Sequence, residues 1–129
     1  MTGEQPKDRL QLLTAEVREF AEQRDWQQFH NAKNLAMALG GEVGELLAEL
    51  QWVEPSDLAR TLEPGCVARA RFDDEMADVF IYLTRLADVA SVDLVEVARA
   101  KLARNRDRYP VRLARGTATK QARLRPQRS

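Results

Sequence analysis

The sequence predicts an all-α fold built from four main helices. Apolar residues recur at three- and four-residue spacing in four separate stretches, which is the periodicity of amphipathic helices. The 129 residues include only six glycines and five prolines, and runs of β-branched residues are few. The chain is long enough for one domain with a core of its own. These observations favour helices over strands throughout.

The first predicted helix covers residues 9–24, where five apolar side chains form one stripe: Leu10, Leu13, Val17, Phe20 and Ala21. A short polar and aromatic connection follows at residues 25–30. The second helix is predicted from about residue 32 to residue 51. Asn31 stands before it and is suited to cap its first turn, because asparagine side chains accept hydrogen bonds from orphan amides there.

An irregular linker is predicted at residues 53–65, which contain two prolines and a glycine and leave room for one short turn at 58–61. The third helix is predicted at about residues 66–90, with a broad apolar surface. The fourth is predicted at about residues 94–106, and Pro110 ends it. We therefore assign residues 1–110 to one domain.

The charge is unevenly distributed, although the formal net charge is zero. Residues 110–129 contain six basic groups and no acid, so residues 1–109 carry a net charge of −6. With few large apolar groups, residues 111–129 are predicted to be a basic, disordered tail. Such a tail has no aromatic residues to stack on bases, and we expect no nucleic-acid partner.

Several classes of protein are disfavoured. Cys66 is the only cysteine, which excludes an intrachain disulfide and a cysteine-based zinc site. The first residues lack the apolar segment of a secretory signal. No apolar run approaches the ~20 residues that span a membrane. We expect a cytoplasmic protein with no membrane partner.

The second predicted helix carries an acidic face. Glu42, Glu45 and Glu49 are spaced i, i+3, i+7, which places three like charges on one side. Gly40, Gly41 and Gly44 lie in the same stretch. Each glycine inside a helix lowers the stability of the helix by about 1 kcal/mol relative to alanine. These glycines indicate that another group approaches the helix backbone closely.

A second acidic pair, Glu75 and Asp78, lies on the third predicted helix, with Tyr82 one turn later. Two helices with acidic pairs can pack so that four carboxylates converge. Oxygen ligands without histidine or cysteine favour Mg²⁺, with Mn²⁺ possible, and Mg²⁺ commonly recruits substrate phosphates. The alternative is a solvated acidic face, which explains neither the glycines nor the absence of basic residues four positions after the acids of the third helix.

Two further groups of residues leave their interpretation open. Lys101 and Asn105 share a face of the fourth helix, where they suit a phosphate or sugar hydroxyl, although basic groups near a helix C-terminus also suit its dipole. Four ring-bearing residues could stack on a nucleobase or simply fill the core: Trp26, His30, Trp52 and Tyr82.

The motifs resemble the MazG-like, all-α nucleoside triphosphate pyrophosphohydrolases, and within them the dCTP pyrophosphatase branch. The acidic signature reads Glu42-x-x-Glu45 followed by Glu75-x-x-Asp78. The resemblance covers roughly residues 8–115 and includes further motifs along the chain: Arg24-Asp25-Trp26, Gln28-Phe29-His30, Asn34-Leu35, Gly41 to Leu46, Gln51-Trp52, Asp78 to Leu83 and Asn105-Arg106-x-Arg108-Tyr109-Pro110.

This resemblance implies a four-helix bundle that assembles as a tight homo-oligomer, usually a tetramer, and Mg²⁺-dependent hydrolysis of a nucleoside triphosphate to monophosphate and pyrophosphate. It implies four metal ligands: Glu42, Glu45, Glu75 and Asp78. It implies base-pocket residues at Trp26, His30, Trp52 and Tyr82. It also implies phosphate- and sugar-contacting residues at Lys33, Lys101 and Asn105.

The predicted activity is hydrolysis of dCTP, or of a modified dCTP, with Glu45 or Glu42 as the general base. A dUTPase-like or broad-specificity housecleaning pyrophosphohydrolase is the alternative within enzymes. A helical module that binds a basic protein through its acidic face is the alternative in another class. The sequence leaves open the preferred base, the choice between dimer and tetramer, and the role of the tail.

Overall fold

The computed structural model describes Gly3 and residues 8–118, and the regular secondary structure of these residues is helical throughout. This confirms the all-α prediction. The α-helices are α1 (Arg9–Gln23), α2 (Ala32–Leu50), α3 (Leu58–Thr61), α4 (Val67–Val89), α5 (Leu94–Arg108) and α6 (Val111–Ala114). The four predicted helices correspond to α1, α2, α4 and α5, with ends within two residues of those expected.

Side-chain caps fix the starts of three helices. Asp8 accepts from the amide of Gln11 at 2.8 Å, and the Gln11 side chain returns a bond to the Asp8 amide, so α1 begins with a reciprocal capping box. Asn31 caps α2 as predicted, because its Oδ1 accepts from the amide of Asn34 at 2.8 Å. Asp93 caps α5 in the same way.

The chain forms two compact units, Met1–Val92 and Asp93–Ser129. Within the first unit, α2 packs along α4 over the most extensive helix contact, and α1 also packs on α4. The helix α4 is therefore the centre of this unit. The second unit contains α5 and α6.

The linker between α2 and α4 has the irregular character that its prolines predict. A 3₁₀ turn at Pro55–Asp57 leads directly into α3, which occupies the predicted short turn. Gly65 adopts a φ of +92°, a left-handed conformation that side chains other than glycine rarely adopt. The chain therefore turns at Gly65 and enters α4 two residues later.

Few hydrophobic side chains are fully buried in the described part of the chain: Ala21, Leu35 and Ala87. Large apolar side chains remain open instead, including Trp52 at 87% exposure, Met37 at 67% and Leu47 at 60%. Of the helices that the structure describes, none combines the length and hydrophobicity needed to cross a membrane.

The predicted tail of residues 111–129 begins with α6. Residues 119–129 lie outside the described residues. The disordered tail and the domain of residues 1–110 both stay predictions.

Candidate active site

Packing of α2 along α4 brings carboxylates from the two helices together. Glu42 lies on α2, and Glu75 and Asp78 lie one turn apart on α4. One carboxylate oxygen from each of the three lies within 4.8 Å of the other two. The spacing puts these acids on one face of each helix, and the packing of α2 on α4 brings the two faces together.

Two oxygens of this cluster are buried without a hydrogen-bond partner in the described residues, Oε2 of Glu42 and Oε2 of Glu75. Burial raises the pKa of Glu42, and the negative charge of Glu45 raises it further. Burial also raises the pKa of Glu75, with Glu45 and Asp78 adding to the effect. Buried acceptors without hydrogen-bond partners and mutually repelling negative charges both favour the binding of a cation at this cluster.

Glu45 is outside the group of three converging oxygens but adjoins it. Its carboxylate lies near those of Glu42 and Glu75 and contributes to the raised pKa of each. Other acids of the two stretches are neutralised by arginines: Glu49 pairs with Arg71 at 3.3 Å, and Asp73 pairs with Arg69 at 2.7 Å. Across residues 8–118, no such ion pair neutralises the cluster acids.

A divalent cation fits this donor set. The three groups offer carboxylate oxygens, which are the ligands that Mg²⁺ and Mn²⁺ prefer. A bound cation would give the two orphan oxygens a partner and relieve the repulsion that raises their pKa values. Glu42, Glu75 and Asp78 could hold the ion, with Glu45 beside it.

The predicted base-pocket residues are only partly brought together. The rings of Trp26 and His30 lie with centroids 6.4 Å apart in an edge-on arrangement. Tyr82 is half-buried on α4, one turn beyond Asp78. Trp52 is almost fully exposed after the end of α2, and none of the ring contacts in the described residues includes it. Its role as a pocket residue stays a prediction.

The predicted phosphate- and sugar-contacting residues belong to different parts of the chain. Lys33 is exposed in the first turn of α2. Lys101 is exposed and Asn105 is half-buried on α5, in the second compact unit. Their roles also stay predictions.

A buried polar network went unpredicted. Arg85 on α4 donates from Nε to Nδ1 of His30 at 3.0 Å and from Nη1 to Asp88 at 3.0 Å. Arg18 on α1 donates two hydrogen bonds to the same Asp88, at 2.6 and 2.9 Å. The only sequence signal was the position of Arg85 on the helix face that carries Glu75, Asp78 and Tyr82.

The glycines of α2 do not pack closely against anything described. A Cβ atom added at Gly40, Gly41 or Gly44 would meet nothing within 4 Å. The expected approach of another group is therefore not made by any residue that the structure describes. Met37 and Leu47 lie on the same open side of α2, so the glycines form part of an exposed apolar stripe.

Comparison with known proteins agrees with the motifs and the geometry. The MazG-like family model matches residues 38–124. Mouse dCTP pyrophosphatase 1 is 43% identical over 120 residues, which cover 89% of this chain and 67% of that protein. Human dCTP pyrophosphatase 1 is 40% identical over 124 residues, covering 92% and 69% respectively.

Among solved structures, a pyrophosphatase from Archaeoglobus fulgidus superposes with a TM-score of 0.74 and 35% sequence identity, covering 83% of this chain and 97% of that one. The fold, the acidic cluster and these similarities all agree with the resemblance seen in the sequence. The chain belongs to the MazG-like family.

Proposed function

We propose that the protein is a divalent-metal-dependent nucleoside triphosphate pyrophosphohydrolase that converts dCTP to dCMP and pyrophosphate. The convergence of Glu42, Glu75 and Asp78 between α2 and α4 is the observation that carries the proposal. The relatives described above are named for dCTP, and the similar solved structure is named a pyrophosphatase. A protein-binding module would not need orphan carboxylate oxygens buried between its own helices.

The metal is proposed to be Mg²⁺, with Mn²⁺ able to replace it. Glu42, Glu75 and Asp78 would hold the ion, and Glu45 is a fourth candidate ligand. When bound, such an ion neutralises triphosphate charge and lowers the pKa of a bound water. Hydrolysis at the α-phosphorus would then release pyrophosphate as one unit.

Glu45 is the better candidate for the general base. It adjoins Glu42 and Glu75 without being one of the three converging ligands. It could therefore take a proton from the attacking water while the others hold charge in place. Glu42 is the second candidate, because its Oε2 has no hydrogen-bond partner among the described residues and could accept a proton from water.

The nucleobase is proposed to bind beside Trp26 and His30, with Tyr82 and Trp52 completing the pocket. The edge-on pair of Trp26 and His30 offers an aromatic surface next to a polar ring. Lys33, together with Lys101 and Asn105, is proposed to contact the phosphates and sugar.

A homo-oligomer, proposed to be a tetramer, would cover the apolar surface that one chain leaves open. The face of α2 opposite the acidic cluster presents Met37, Gly40, Gly44 and Leu47, all exposed. Its glycines would allow a second helix to approach closely, because they carry no side chain. So few buried apolar residues make a stable isolated chain unfavourable.

A panel of nucleotides tests the substrate assignment. Initial rates with Mg²⁺ should be compared for dCTP, 5-methyl-dCTP, dUTP, dTTP, dATP, dGTP and CTP at equal concentration. The proposal predicts that dCTP or its 5-methyl form has the highest kcat/KM. A highest value for dUTP would support the dUTPase-like alternative, and similar values for all would support the broad-specificity one.

A further inference from the structure

Arg85 is the one charged residue that is buried in the described part of the chain, with 7% of its surface exposed. Burying a charge is costly unless it is paired and hydrogen-bonded. Asp88 supplies the counterion at 3.0 Å, and Nδ1 of His30 supplies a neutral acceptor at 3.0 Å. The side chain of Arg85 therefore connects an ion pair to a histidine in the candidate active site.

The bond from Arg85 determines where His30 carries its proton. A guanidinium group only donates hydrogen bonds and stays charged at all accessible pH values. Nδ1 of His30 must therefore present a lone pair. A neutral imidazole carries one proton, which leaves that proton on Nε2. Desolvation by burial and the positive charge of Arg85 also lower the pKa of His30.

The surroundings of His30 hold this arrangement in place. On α4, Arg85 contacts His30 and also pairs with Asp88. On α1, Arg18 pairs with the same Asp88. On the segment of His30 itself, the neighbour is the uncharged ring of Trp26. Because both oxygens of Asp88 are occupied by arginines, Arg85 is anchored on the side away from His30.

We propose that Arg85 is a positioning residue of the substrate pocket, which fixes His30 as the neutral Nε2–H tautomer and so presents a constant hydrogen-bond donor to the nucleotide. The second half of this inference rests on the proposed function. Within residues 8–118 Nε2 has no hydrogen-bond partner, so its proton is available to a ligand. An uncharged donor beside Trp26 suits a carbonyl oxygen or ring nitrogen of a pyrimidine.

The tautomer can be read directly, because His30 is the only histidine in the chain. A long-range ¹H–¹⁵N spectrum of the untagged protein distinguishes a protonated ring nitrogen from one with a lone pair. In the wild type we expect a protonated Nε2 and an unprotonated Nδ1, unchanged from pH 8 to pH 6. A proton on Nδ1, or an ordinary titration near pH 6.5, would overturn the proposal.

Two substitutions of Arg85 and one control test whether His30 responds to this hydrogen bond or only to positive charge nearby. Arg85→Met should let the tautomers mix and return the pKa of His30 towards its usual value, while Arg85→Lys, which keeps the charge and one donor, should retain the unprotonated Nδ1. Arg24→Met is the matched control, since Arg24 stacks on Phe20 of the same ring cluster, at 3.7 Å, without touching His30. An equal change in Arg24→Met would contradict the inference.

Kinetics test the link to substrate. Arg85→Met should lower kcat/KM for dCTP about twofold to threefold, chiefly through KM, because mixed tautomers leave only part of the population with a proton on Nε2. His30→Ala removes the donor from every molecule and should cost about tenfold, the scale of one lost hydrogen bond. The double variant should cost no more than His30→Ala, because Arg85 acts through His30. Additive losses would show that Arg85 acts separately from His30.

The two proposals fail separately in these experiments. If dCTP is not hydrolysed while the tautomer is as expected, the proposed function fails and the structural assignment of His30 stands. If dCTP is hydrolysed but Nδ1 carries the proton, the positioning role of Arg85 fails and the proposed function stands.

Discussion

Asp88 joins two helices through two arginines, and replacing it with asparagine perturbs that junction with little change of shape. Its carboxylate accepts two bonds from Arg18 on α1 and one from Arg85 on α4, and its side chain is only 15% exposed. Asparagine has one acceptor oxygen and no charge. In Asp88→Asn the buried Arg85 therefore loses its counterion.

The expected loss is large for a single substitution. Removing one partner of a buried ion pair costs about 3 kcal/mol or more, because the remaining charge is left uncompensated. For a chain of this length that corresponds to a Tm lower by roughly 10 °C. Differential scanning calorimetry at equal protein concentrations measures it, since association would make Tm depend on concentration.

The pH dependence of this loss follows from the pKa of Asp88. The hydrogen bond from Arg18 lowers that pKa most, burial opposes the shift, and the charges of Arg18 and Arg85 lower it further. A carboxylate with a lowered folded-state pKa stabilises the protein above its unfolded-state pKa, and this contribution disappears as pH falls through the folded-state pKa. The Tm difference should be constant between about pH 5 and pH 8 and shrink only in stronger acid.

Arg60→Met is the matched control for Asp88→Asn. It removes the ion pair with Asp57, whose side chain is 46% exposed while that of Arg60 is 80% exposed, so Tm should barely change. Equal losses in the two variants, or a difference that grew in acid, would refute the assignment of Asp88 as the counterion of a buried arginine.

Three further predictions concern the cluster and the open face of α2. Glu75→Gln should raise the metal-free Tm at pH 8, because the raised pKa of Glu75 means that its charged form weakens the fold as pH rises; an unchanged Tm would contradict this. Stabilisation of the wild type by Mg²⁺ should be greater at pH 8 than at pH 5.5 in thermal melts, since protons compete for Glu42 and Glu75; the reverse order would count against the site. Leu47→Glu should dissociate the proposed oligomer in sedimentation equilibrium, whereas Val111→Glu on α6 should not; equal assembly of both variants would exclude this face.

The acidic cluster could be predicted from the sequence because it depends on the spacing of residues within single helices. Helical spacing fixes which residues of α2 and α4 share a face, and the fully buried Leu35 marks the side of α2 that packs inward. Given two such helices in contact, Glu42 has few acids to meet other than Glu75 and Asp78. The short helix α3 followed in the same way from prolines and glycine around it.

The bond between His30 and Arg85 could not be predicted, because 55 residues separate them and no periodicity relates a connection to a helix. The sequence showed only an arginine within an apolar helix, and such a side chain can equally well extend into solvent. The glycines of α2 show a second limit. They indicated a close approach, but no neighbour among residues 8–118 supplies it, and the sequence pattern does not identify the group that would.

The Glu42–Glu75–Asp78 cluster is proposed to serve cleavage of a nucleoside triphosphate between its α- and β-phosphates. The direct measurement is Mg²⁺-dependent product formation from dCTP, with pyrophosphate and orthophosphate quantified separately, for the wild type, Glu42→Gln and the control Asp73→Asn. Asp73 is a matched acid on α4 that pairs with Arg69 outside the cluster.

We expect the wild type and Asp73→Asn each to release one pyrophosphate per dCMP, without orthophosphate. Glu42→Gln should lose at least two orders of magnitude in kcat, as expected for loss of a charged metal ligand. Orthophosphate as the first product, or full activity in Glu42→Gln, would contradict this proposal.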